Sequence, residues 1–248
     1  MSTAWIWLSA LGNSKWLLPG VMLFIVTASA SGNLPRRDGL RWSVAIAATA
    51  LTVLASKIAF MGWGVGSAAL DFTGISGHAA MATCIYPPLA ALLCAHHPRL
   101  RGPLIVAAAL LAAAIAYSRL PLHAHSPSEV IAGTLLGGLA SLFVITRGTQ
   151  RMPALATWQW IVPAIALVCC LQAATPKINT HGMVVAMART LSGQDQLHTR
   201  RWLHQRSGSS RAWQETSAKN LAKTIDKPSP LGQHVSVGLS HMDFRSPP

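Results

Sequence analysis

Charge is what this sequence has least of. Asp, Glu, Lys and Arg make up 11% of its 248 residues, 51% are hydrophobic, and the mean hydropathy is +0.39. That balance excludes an ordinary soluble domain. Acids are the scarcer sign, with 7 Asp and Glu against 20 Lys and Arg. There is no carboxylate cluster of the kind that holds Mg²⁺, so neither a metal nor another cofactor is expected. The 4 cysteines (Cys84, Cys94, Cys169, Cys170) show neither CxxC nor Cys/His ligand spacing. They exclude a zinc site or disulfide framework and suit packing. Polar stripes at helical period are missing too, which argues against a soluble helical protein built on a large core.

What is present is a series of apolar, Ala- and Leu-rich runs of near-membrane length, at about 16–31, 42–61, 79–95, 103–117, 130–146 and 157–174. The expected fold class is all-α: a polytopic membrane protein with a six-helix transmembrane bundle. Residues 1–15, with Trp5, Trp7 and Lys15, read as an interfacial lead-in. The small residues around Thr27–Gly32 leave a signal peptide as the weaker alternative to a retained first span. The membrane domain is expected over 16–176 and a basic C-terminal tail over 177–248. Within the tail, Met183–Leu191 suits an amphipathic helix on the membrane, and the Ser-, Gly-, Pro- and Lys-rich stretch beyond Arg206 suits disorder. No internal repeat is evident.

The net charge of +13 is uneven. In a membrane protein it fits anionic lipid headgroups better than nucleic acid, so membrane lipids are the expected partners. Arg36, Arg37 and Arg41, then Arg99 and Arg101, then Arg147 and Arg151 occupy three alternate short loops. The positive-inside rule makes those loops cytoplasmic. The other two loops, Lys57–His78 and Ser118–Glu129, then share the outer face.

Those two loops hold the chemistry. Ser118–Glu129 reads SRLPLHAHSPSE and concentrates an Arg, two His and a Glu in a chain short of ionisable groups. Arg119 is a fixed cation suited to phosphate, and His125 can act as base, acid or nucleophile. Glu129, four residues on, can hold one tautomer of that imidazole. The same residues also fit a capping box, with Ser126 at the N-cap, Pro127 first in the helix and Glu129 third. In the other loop, Gly74-Ile75-Ser76-Gly77-His78 leads into an apolar run, where backbone N–H groups at a helix N-terminus favour an anion. Ser76 is either a plain N-cap or a phosphate ligand. Lys57 is either a ligand or a snorkelling cation, Asp71 a turn residue or a catalyst, and His123 a pocket residue or a solvated one.

At these residues the chain resembles the type-2 phosphatidic acid phosphatase superfamily, whose fold is shared with vanadium haloperoxidases. The family pattern is K-x6-R-P, then P-S-G-H, then S-R-x5-H-x3-D. Ser118, Arg119 and His125 match the third block, with Glu129 in place of Asp. Ser76, Gly77 and His78 match the second, after Ile75 where Pro is usual. The first is degraded: Lys57 is followed by Gly64-Val65 where Arg-Pro is expected. The resemblance covers residues 50–150.

The resemblance implies a six-helix bundle of the lipid phosphatase/haloperoxidase type. It implies a metal-independent phosphatase acting on a lipid phosphate or diphosphate, such as an undecaprenyl diphosphate-like carrier or a phosphatidyl phosphate. His125 would be the nucleophile, Glu129 its orienting partner, and His78 the acid and then base. Lys57, Ser76, Gly77 and Arg119 would bind the phosphate. Its setting would be a bacterial inner membrane, with the site on the periplasmic face. The missing Arg leaves a second class open, a non-catalytic protein that binds or transports lipid phosphates, with Gly64→Arg as the variant that restores the block. Haloperoxidase chemistry, which needs bound vanadate, fits less well.

Overall fold

Five of the apolar runs fold as helices ending close to the expected bounds. A computed structural model describes residues 3–95, 97–148, 180–194 and 196–207, together with 217 and 219. Helix α1 (Thr3–Leu11) turns at Gly12 into α2 (Ser14–Ala30), followed by α3 (Arg36–Trp63), α4 (Gly77–Leu93), α5 (Pro98–Ser118) and α6 (Pro127–Arg147). Then come α7 (Thr180–Ser192) and the short α8 (Arg200–Arg206). Among the described residues the regular structure is helical, with one isolated bridge between Ser67 and Phe72. The sixth run, 157–174, with Cys169 and Cys170, lies outside the described residues, as do most residues beyond Arg206.

Four segments are long and apolar enough to cross a membrane: Thr3–Ala30, Arg36–Trp63, Pro98–Ser118 and Pro127–Arg147. The protein is thus a multi-pass helical membrane protein. The third run departs from expectation. Helix α4 has 17 residues, roughly 26 Å at 1.5 Å per residue and short of the ~30 Å hydrocarbon core. It can be short because it sits at the centre of the bundle: Ala79, Ala80, Ala82 and Cys84 are fully buried between α5 and α6.

Glycines set that packing. A Cβ on Gly133 would lie 2.6 Å from the Ser76 carbonyl oxygen, and one on Gly137 would lie 2.2 Å from that of Ala80. The two residues are four apart on one face of α6, so the backbones of α4 and α6 touch where larger side chains would separate them. This brings the N-termini of both helices together, and the Ser76 N–H donates to the Glu129 carbonyl at 3.1 Å.

The chain divides into two units, Met1–Leu203 and His204–Pro248. Everything below concerns the first. The expected amphipathic stretch 183–191 lies inside α7, whose Val184 and Ala188 pack on Ile58 of α3, flanked by Leu54, Met61 and Leu197. Met183, Met187 and Leu191 stay exposed on its outer side.

Candidate active site

Glu129 is fully buried at the start of α6, and both its oxygens are engaged. Oε2 lies 2.6 Å from His125 Nδ1 and accepts the Ser126 N–H at 3.3 Å. The Ser126 hydroxyl in turn accepts from the Glu129 N–H, which completes a capping box. The capping and imidazole-holding roles therefore coexist, on one oxygen. Oε1 accepts from the Thr73 N–H at 2.7 Å, the Thr73 hydroxyl at 2.6 Å and Arg200 at 2.7 Å.

A hydrogen bond donated by Nδ1–H to the carboxylate fixes the His125 tautomer and leaves Nε2 with its lone pair. Burial lowers the His125 pKa below its ordinary value of about 6.5, while the hydrogen bond and charge of Glu129 act the other way. The imidazole is thus neutral at neutral pH.

The other expected residues surround this pair. His78, in the first turn of α4, is within electrostatic reach of Arg119, His125 and Lys57. Lys57, in the last two turns of α3, is within reach of Glu129 and Arg119. Gly74, at φ +138°, lays the connecting loop on Lys57, where a Cβ would meet the Lys57 side chain at 3.1 Å. Arg119 follows the last turn of α5, and its guanidinium donates to Ser9 of α1. Burial lowers its pKa from the usual arginine value. Ser76 stands at the N-cap of α4, yet its hydroxyl makes no capping bond. Ser76 Oγ and Arg119 Nε are buried with no hydrogen-bond partner among the described residues. Such atoms are costly, about 1–3 kcal/mol each, and Ser76 stands at the N-terminus of α4.

A cavity of about 510 Å³ opens on Lys57, His125 and Glu129, while Ser76, Gly77, His78 and Arg119 are not among the residues that line it. Lys57, Thr73, His125, Glu129 and Arg200 form its polar wall, and Phe60, Met61, Val184, Val185 and Leu197 its apolar one. Sequence reasoning missed Arg200, Thr73 and Ser9. Asp71 is a turn residue, at φ 49°, and also an ion partner of Arg200 at 2.5 Å. His123 is exposed, also at positive φ. Gly64 closes α3 in the left-handed conformation at φ 71°, and a Cβ there would lie 2.7 Å from the Trp202 ring. Arginine at 64 would thus be strained and would collide with the indole, so Gly64→Arg is no clean restoration of the degraded block. The segment around Arg200 occupies that side of the cavity instead.

Fold and site together define a helical membrane protein with a carboxylate-held histidine on a cavity that has polar and apolar linings. The profile of the PAP2 superfamily matches residues 3–153, and the chain belongs to that superfamily, a group of phosphatase-type enzymes. It is also 36% identical over 208 residues to a Klebsiella pneumoniae protein described as "Uncharacterized 22.5 kDa protein in cps region", across 82% of this chain and 99% of that one. No solved structure matches.

Proposed function

We propose that the protein hydrolyses a lipid phosphate or diphosphate through a phospho-histidine at His125. The observation that carries this is the His125–Glu129 pair on a cavity with one polar and one apolar wall. Nε2 attacks phosphorus as the bond to the leaving oxygen breaks. Lys57, Arg119, Ser76 Oγ and the Gly77 N–H take up the charge on the equatorial oxygens. A phosphate brought among these groups favours protonation of His78, which gives its proton to the departing alkoxide or phosphate. Water then attacks the phospho-histidine with His78 as base, releasing phosphate and restoring the imidazole. No step requires a metal. The apolar wall suits the chain of an undecaprenyl diphosphate-like or phosphatidyl substrate. The loop charges support an inner-membrane setting with the site on the periplasmic face.

The test is phosphate release by purified protein in detergent, from lipid phosphates and diphosphates, with EDTA present and His125→Ala alongside. The expected result is EDTA-resistant release that falls by about 10³-fold or more in the variant. Release that persists in His125→Ala would remove the nucleophile assignment. A folded wild type that releases nothing while binding the same lipids would favour a non-catalytic binder.

A further inference from the structure

Buried carboxylates need their charge answered, and the answer at Glu129 comes from far along the chain. Oε2 is committed to His125 and the Ser126 N–H. On Oε1 the Thr73 donors are neutral, and Arg200 Nη2 at 2.7 Å supplies the charge. The same guanidinium donates through Nη1 to Asp71 at 2.5 Å and through Nη2 to Thr73 at 3.1 Å. One planar fork thus spans the acid of the α3–α4 connection and the acid of α6 in a fixed geometry that an ammonium group on a flexible stem does not reproduce.

The segment delivering Arg200 is itself anchored. The His198 N–H donates to the Met61 carbonyl at 2.9 Å, and His198 Nδ1 lies 3.1 Å from the same oxygen at the end of α3. The Trp202 ring meets His198 edge-on at 4.1 Å and covers Gly64. Gly62 admits Ser192, whose Cβ would be 3.0 Å from a Cβ added there. These contacts tie both flanks of Arg200 to the last turn of α3, and its side chain, 30% exposed, reaches the cavity beside Lys57 and His125.

We propose that Arg200 is a positioning residue for the Glu129–His125 pair, so that α7 and residues 197–203 are part of the active site. By holding Oε1, Arg200 keeps Oε2 on Nδ1 and Nε2 toward the cavity. Its charge also opposes protonation of His125. Among the described residues, the other charged or titratable groups facing the pair are Lys57 from α3, His78 from α4, Arg119 after α5, Asp71 from the connecting loop and His198 across the cavity. Loss of Arg200 makes the potential at His125 more negative and moves its titration to higher pH. The effect on rate rests on the phosphatase reading; the effect on His125 does not.

The experiment follows the His125 imidazole by NMR in full-length, histidine-labelled protein in detergent micelles, for wild type, Arg200→Gln and Arg200→Lys. Phosphate release from dodecyl phosphate is measured across pH on the same samples. In Arg200→Gln the titration of His125 and the acid limb of kcat/KM should both rise by about 0.5–1 pH unit. The rate at neutral pH should fall by about 10- to 100-fold, mostly in kcat. Arg200→Lys keeps the charge but not the fork, and should restore the titration more fully than the rate. A titration unmoved in Arg200→Gln overturns the proposal. If that variant does not fold, Arg200→Lys decides, and a wild-type rate and titration in it overturn the proposal equally. A His125 titration that depends on Arg200 in a protein releasing no phosphate sustains the positioning role and removes the phosphatase reading.

Discussion

Ser76 combines two features that seldom occur together: it stands where an N-cap stands, and its buried hydroxyl caps nothing. Removal of a capping serine costs about 0.5–2 kcal/mol. Removal of this one should cost little stability, because no bond is lost. We therefore expect Ser76→Ala to keep the wild-type melting temperature while losing about 10-fold or more in phosphate release. A fall in melting temperature with unchanged kinetics would return Ser76 to a structural role. At this scale the site was half legible. His125 and Glu129 lie one helical turn apart, and Ser126-Pro127-Ser128-Glu129 states both a helix start and a carboxylate within reach of the ring. Arg200 gave no such signal: it lies 71 positions from Glu129 and is one basic residue among several in a polar stretch. Local spacing does not encode a contact across that distance, and the same holds for Ser9 on Arg119.

Among the elements, the α4–α6 contact carries the arrangement. His78 and Ser76 come from one helix start and Glu129 from the other, so their separation is set by how closely those helices approach. Gly137→Ala places a methyl group 2.2 Å from the Ala80 carbonyl oxygen, where backbone must move. A loss of about 1–3 kcal/mol is expected, as for other overpacked cores, read as a lower melting temperature together with reduced phosphate release. Gly20→Ala is the control, since an added Cβ there meets nothing within 4 Å, and it should melt with the wild type. Equal melting of the two variants would show that the close approach is dispensable. The helices themselves could be read from apolar length and, for α6, from the start that Ser126 and Pro127 mark. The shortness of α4 could not, because its burial among neighbours, not its composition, decides whether lipid touches it.

For the whole molecule, the proposed orientation rests on arginines in alternate loops. With the 4 native cysteines replaced, a cysteine at exposed His123 should react with a membrane-impermeant maleimide in intact cells, and one at exposed Arg99 only after lysis. The opposite pattern would invert the topology and place the chemistry on the cytoplasmic side.

Ser9 and Arg200 come from near opposite ends of the first unit, and both reach the same cluster. A chain emerging from the ribosome therefore carries His125 and Glu129 long before it carries Arg200. Once α6 is inserted, His125 and Glu129 are already beside the lipids they would act upon, but Arg200 is still to be made. Synthesis itself thus delays completion of the site: until the stretch around Arg200 has folded back onto α3, the newborn protein lacks the guanidinium that holds Glu129.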